Sequence, residues 1–135
     1  MDLNAVQEEL GAALEQIEGL RVFPYWADRV VPPAAVVGWP DPLTYDAAMQ
    51  RGADVVEGVP VIVLVSQVDK RSATAQLAAY ADGSGERSVK AAIEASAGTA
   101  YDSARVTQAE FGVISVGGTE YLAATFSIDL IGQGA

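Results

Sequence analysis

The chain has 135 residues, of which 50% are apolar and 19% are charged, so the composition predicts one ordered globular domain over residues 1–135. It contains neither cysteine nor histidine, which excludes disulfides, thiolate nucleophiles, imidazole bases and nearly every zinc or iron site. Eighteen acidic against eight basic residues give a net charge of -10, which repels phosphate and argues against sequence-specific binding of nucleic acid.

The start of the chain lacks a basic region, and no apolar run approaches the ~18 residues that a membrane span needs. We therefore expect a protein that is made in a cytoplasm, is not secreted and does not insert into a membrane.

The first elements are a helix and two short strands. Apolar residues spaced three and four positions apart predict an amphipathic helix over residues 3–18, which Gly19 ends. Residues 21–25 then look extended, and Pro24 indicates an edge strand or a bulge. Residues 34–39 are a short apolar run between prolines, which predicts a second strand.

A loop and a central strand follow. Residues 43–57 combine a possible helical turn with Gly52 and several acidic residues, which favours an ordered surface loop. Residues 59–65 are apolar at every position, so both faces of this strand need cover. We expect helices on one face and a second sheet or a neighbouring subunit on the other.

Two short helices are predicted next, over Lys70–Ala81 and over residues 88–95, with Ser88 as the N-cap of the second. The final third changes to a period of two. Residues 104–116 read as a strand with a break or bulge at Gly112, where the apolar phase shifts.

A Gly117-Gly118 hairpin turn precedes the clearest strand, over residues 121–130, in which apolar and mostly polar positions alternate. The fold class predicted from these elements is α+β. A mainly antiparallel or mixed β-sheet carries the N-terminal helix and the two short central helices on one face.

Paired carboxylates are the nearest approach to a catalytic or metal site. Asp41 with Asp46, or Asp54 with Glu57, could act as an acid and a base or hold a hard cation such as Mg²⁺. Nothing in the sequence makes these groups converge, which favours a solvated acidic loop.

A glycine-rich segment, residues 82–86 (DGSGE), superficially resembles an anion-binding loop. It lacks the lysine of a P-loop and a preceding strand, and Glu86 would repel a phosphate, so a flexible linker between helices is favoured.

Several aromatic residues lie in the proline-rich first half, where they could stack on a nucleic-acid base. Only three arginines and no lysine accompany them in residues 1–66, which favours roles in the core or in subunit contacts. The aromatic residues are Tyr25, Trp26, Trp39 and Tyr45.

Three stretches of the second half resemble one known family. They are residues 85–95 (GERSVKAAIEA), 104–107 (ARVT) and 117–122 (GGTEYL). In this order they are similar to the tail terminators of siphovirus-type bacteriophages, with long noncontractile tails, that infect actinobacteria. The resemblance is strongest over residues 85–131 and extends more loosely over the rest of the chain.

The resemblance implies a structural virion protein with no catalytic residues, cofactor or metal. Tail terminators form a ring, usually hexameric, that caps the growing tail tube, stops polymerisation of the major tail tube protein and presents a surface to the head-tail connector. Such a protein assembles in the host cytoplasm and lies at the head-proximal end of the tail. Residues 43–57 match no stretch of the family.

The acidity then has a second interpretation beside solubility. A negative channel wall gives phosphates no counterions to release, so DNA would pass through the ring without being held. We select Asp54, Glu57 and Glu120 as candidate lumen-facing residues because they lie on expected loops and hairpin tips. The alternative is that they face bulk solvent.

Two other functions remain open from the sequence. A head-tail connector or stopper is a neck protein of similar size that also forms rings. A small ligand-binding or Mg²⁺-dependent hydrolytic domain would instead use the paired carboxylates.

Overall fold

The computed structural model describes residues 3–23, 30–38, 53–67, 70–95, 101 and 103–133. Three helices and five strands make up this part of the chain. In chain order they are α1 (Leu3–Leu14), β1 (Arg21–Phe23), β2 (Ala34–Val37), β3 (Ala53–Ser66), α2 (Lys70–Ala81), α3 (Val89–Ala95), β4 (Ser103–Val116) and β5 (Thr119–Gln133).

The five strands form one mixed sheet in the order β1-β2-β3-β5-β4. β1 runs parallel to β2, and every other neighbouring pair is antiparallel. All three helices share one hydrophobic core with the sheet, so they pack on the same face of it, which we call the helix face. The predicted α+β class is confirmed.

Strand β3 is apolar on both faces because both faces are covered, as its sequence predicts. Val59, Val61, Val63 and Val65 contribute to the core under the helices. Leu64 is fully buried on the opposite face, which we call the far face, in a second cluster. That cluster also contains Val30, Ala34, Val36, Val116 and Ala123.

A segment of the same chain contributes part of the cover on the far face. Val30 belongs to the second cluster, and the Tyr121 hydroxyl donates to the Val30 carbonyl oxygen at 3.4 Å. The described strands form one sheet, so no second sheet of described residues takes this place.

Helix α1 is shorter than the predicted residues 3–18, since it ends at Leu14. Beyond Glu15, the backbone bonds reach back only three residues, as in the 3.3 Å bond from Gln16 N to Ala13 O, so the helix tightens at its end. Ile17 still lies in the core, and Gly19 takes a φ of +82°, as the predicted stop requires.

Side-chain bonding attaches α1 to the sheet. Gln7 is 5% exposed, and its Nε2 donates to the Val37 carbonyl oxygen at 3.2 Å. A buried amide that finds a backbone acceptor avoids the cost of an unpaired polar group.

The prediction of a loop over residues 43–57 is wrong for residues 53–57, which belong to a strand. β3 already begins at Ala53, because β5 offers pairing partners as far as Gln133. Residues 43–52 lie outside the described part of the chain.

A bulge interrupts the β3–β5 register between Val56 and Val59. Gly58 has a φ of +74° there, and its amide donates to Asp129 Oδ1 at 3.1 Å. The carboxylate therefore fixes the irregular turn of the strand.

The predicted break at Gly112 is also wrong. Gly112 pairs with Ala123 in an unbroken register, and the bulge of β4 lies at Thr107, between Val106 and Gln108. Val106 and Ala109 are three positions apart, so in a regular strand they would lie on opposite faces. The inserted residue at Thr107 places both on the helix face. This insertion is the phase shift that the sequence shows.

The other predicted elements agree with the structure where it describes them. β1 is an edge strand and β2 covers most of residues 34–39, while Pro24, Tyr25 and Trp39 lie outside the described residues. Gly117 and Gly118 take φ of +58° and +82° in the hairpin turn. The alternation of β5 is confirmed, although Ala123 is buried on the side expected to be polar.

Replacing Gly58 by alanine should lower the free energy of unfolding by about 1–2 kcal/mol, because an L side chain is strained at a φ of +74°. Urea denaturation measures the change. Gly83→Ala is the matched control, since Gly83 has open space and no positive φ, and it should stay within about 0.5 kcal/mol of the parent. Equal effects of the two substitutions would contradict this account of the bulge.

Candidate assembly surface

The outer side of β4 is one of two edges of the sheet, the other being β1, because no described strand lies beyond either. An edge strand presents unpaired N–H and C=O groups and can accept a further strand. How this edge is covered therefore decides where another chain can add.

Helix α3 closes the first half of the β4 edge at Val106. The Val106 amide donates to Glu94 Oε2 at 3.0 Å, and the Val106 carbonyl oxygen accepts from Lys90 Nζ at 3.3 Å. Lys90 Nζ and Glu94 Oε2 also pair with each other at 2.5 Å. Two side chains thus take the place that a neighbouring strand would occupy.

The start of α3 is fixed by Ser88, which is buried. Its Oγ accepts from the Ala91 amide at 3.1 Å, as expected of an N-cap, and donates to the Asp82 carbonyl oxygen. Asp82 Oδ1 in turn accepts from the Ser84 amide at 3.2 Å. The glycine-rich segment therefore serves as the cap and turn that orient α3.

The Lys90 ammonium bonded to Glu94 lowers the pKa of this carboxyl below its ordinary value of 4.5, and the Val106 amide acts in the same direction. Partial burial opposes both effects. The ionised form is thus the one that holds α3 against the bulge.

The second half of the β4 edge, residues 108–116, carries exposed apolar side chains on the helix face. Phe111 is 60% exposed and Val113 is 56% exposed. Phe111 and Leu122 form a groove of about 370 Å³ with three residues of α2, which are Thr74, Leu77 and Ala78. We call residues 108–116 the open half of the edge.

The three candidate acidic residues do not form one cluster. Glu120 is exposed beside the hairpin turn, in register with Ser115. Asp54 pairs with Gly132 at the opposite end of the sheet, and Glu57 lies in the β3 bulge; the side chains of both are outside the described set. From Asp54 to Ser66, the partner of Tyr121, β3 spans roughly 40 Å at about 3.3 Å per residue.

The alternative sites receive no support from the described residues. Asp41, Asp46, Trp26 and Tyr45 lie outside them. Within the described ranges, no three acidic side chains gather in a way that could hold a metal ion.

Among the residues that the structure describes, two buried polar atoms, Gln67 Nε2 and the Tyr101 hydroxyl, have no hydrogen-bond partner. Burial raises the pKa of Tyr101, and the charge of Glu9 raises it further. Gln67 follows the end of β3 that pairs with Tyr121, whereas Tyr101 precedes the start of β4, which pairs with Ile131 towards the other end of β5, so the two side chains do not lie together.

Sequence reasoning missed Lys90, Glu94 and Phe111 as surface determinants. The four-residue spacing of Lys90 and Glu94 indicates an ion pair along a helix. Nothing in the sequence shows that the pair bonds the Val106 backbone.

In the described part of the chain, no helix has the length and apolar character needed to cross a membrane. The chain matches no protein-family model, and it matches no curated protein.

Replacing Glu94 by glutamine should lower the free energy of unfolding by about 0.5–1 kcal/mol at pH 7. Glutamine still offers an oxygen to the Val106 amide but has no charge to pair with Lys90, and the loss is small because the ion pair is partly exposed. A carboxyl with a lowered folded pKa stabilises the fold above its unfolded pKa, near 4.5, and loses this contribution as the pH falls through the folded value.

The difference between parent and variant should therefore be full at pH 7 and vanish in strong acid. Thermal unfolding at a series of pH values measures it. Glu86→Gln, which removes an exposed carboxylate away from the contact, is the control, and a difference independent of pH would contradict the assignment.

Proposed function

We propose that this chain is a structural assembly protein, the tail terminator of a long-tailed phage. It forms a ring, usually hexameric, that caps the tail tube, stops addition of the major tail tube protein and then accepts the head-tail connector. The observation that carries the proposal is a long sheet edge whose second half is open and apolar, which suits contacts between chains.

The resemblance supports the proposal through its position in the fold. Residues 85–95 include Lys90 and Glu94, and residues 104–107 include the Val106 that they bind. Residues 117–122 form the turn and the first residues of β5 beside the open half. All three stretches therefore border β4.

The proposed role has no reaction, so the groups that matter are those that shape surfaces. Glu94 and Lys90 close one half of the edge, while Phe111 and Val113 leave the other half apolar. A connector or stopper would use a ring of the same kind, so tail length separates the two roles.

Deleting the gene from the phage genome that encodes the chain should leave heads normal and give tails of irregular, excessive length that do not join heads. The reason is that nothing would then block the growing end of the tube. Electron microscopy of lysates measures tail length, and restoring the gene in trans is the control. Tails of normal length without heads would instead indicate a connector.

If Asp54, Glu57 and Glu120 line the channel of the ring, the protein should not bind DNA. The purified protein should give no electrophoretic shift of DNA at physiological salt, because carboxylates release no counterions from phosphate. Asp54→Lys, Glu57→Lys and Glu120→Lys together change the net charge from -10 to -4 and should slow genome ejection.

The matched control places the same three lysines at Glu15, Glu18 and Glu86, which are exposed elsewhere on the chain. Equal slowing by both sets would show that total charge, and not a channel wall, is responsible. Binding of DNA by the unchanged protein would contradict the negative lumen.

A further inference from the structure

We infer that the open half of the β4 edge accepts strand β1 of a second copy of this chain, so that the sheet continues from one subunit to the next. The inference rests on the ring of the proposed function and names the contact that builds it. The two surfaces differ, so each copy offers one of each, and the contact can repeat around a ring.

Strand directions allow this contact. β4, β5, β3 and β2 alternate in direction, and β1 runs parallel to β2, so β1 and β4 of one chain run in opposite directions. A neighbour rotated about an axis along the strands keeps these directions. Its β1 therefore meets β4 in the antiparallel sense, which a short strand can adopt directly.

The lengths agree as well. Lys90 and Glu94 already satisfy the backbone of Val106, so a new strand can pair only within residues 108–116. β1 has 3 residues and fits within this span. The α3 contact thus limits the register in which a second copy can add.

The rows of the sheet favour one register. Val22, Ala35, Val63, Ala124 and Phe111 form a single row across the helix face. Continuing the row places Val22 of the next copy opposite Phe111. An aromatic residue opposite a β-branched one is a favourable cross-strand pair, and Phe111 would lose its exposure to water.

Charge supports the same register on the far face. Arg21 begins β1, and in this register it lies opposite Gly112, where no atom lies within 4 Å of an added Cβ. Glu110 is exposed and lies two positions before Gly112, so it is the diagonal neighbour of Arg21 from the next copy and within reach of the arginine side chain. Each copy therefore presents a cation at one edge and a carboxylate at the other.

Disulfide cross-linking tests the contact directly, because the chain has no cysteine of its own. Arg21→Cys and Gly112→Cys, combined in one chain, place two thiols opposite each other across the joint at a spacing suited to a disulfide. A disulfide also traps short-lived encounters. Oxidation of the concentrated protein should give a ladder of linked chains ending in a closed product.

The control pair combines Arg21→Cys with Ser103→Cys, an exposed position in the closed half of the same strand. The first pair should cross-link on the order of tenfold faster than the control pair, since only its thiols meet the geometry of a disulfide. Equal rates, or no ladder from the first pair, would overturn the inference.

Gly112→Cys alone tests another occupant. Rapid linkage into dimers would show that two β4 edges pair with each other, which also overturns the inference. If rings are seen by electron microscopy while the first pair stays unlinked, the proposed function stands and only this contact is wrong.

A charge exchange gives a second readout that does not depend on cysteine. Arg21→Glu and Glu110→Arg should each weaken self-association measured by light scattering, and the double variant should restore it, because the pair is again of opposite sign. A double variant weaker than both single variants would count against direct contact of these two residues.

Discussion

The pairing of β3 with β5 is the contact on which the rest of the structure depends. Each strand spans the sheet, and their shared register continues from Ser66 to Ala53 with a single bulge. The valines of β3 from Val59 to Val65, together with Phe126, Ile128 and Leu130 of β5, are nearly fully buried under the helices, and each contributes about 1.5–3 kcal/mol of apolar burial. The helices and outer strands pack on the surface that this pair creates.

Because β3 is buried on both faces, the helices, which cover one face of the sheet, are not enough to cover it. Leu64 is fully buried opposite the helices, so the chain must supply apolar cover there. Val30, Tyr121 and the end of β4 meet part of this requirement. The apolar residues on both faces of β3 therefore predict its central position and also require β2 and β4 to supply apolar side chains to the far face.

The sequence predicted those features that depend on regular alternation. The period of two in β5, the uniform apolar run of β3 and the glycine turn at Gly117 are local signals, and the structure confirms them. The errors arise where a distant residue decides the outcome. The bulge at Thr107 follows from fitting Val106 and Ala109 onto one core, and the start of β3 at Ala53 follows from the length of β5.

For the same reason, the sequence predicted the elements that border the candidate surface but not the bonds from α3 to Val106. Those bonds have a consequence for solubility. A fourteen-residue edge with its backbone fully unpaired is a template for fibrous aggregation, in which strands of many chains stack without limit. Lys90 and Glu94 bond the backbone of this edge at Val106, in its first half, so an incoming strand cannot pair along the whole edge. Loss of this pair should therefore promote aggregation into insoluble fibres more than it lowers the stability of the fold.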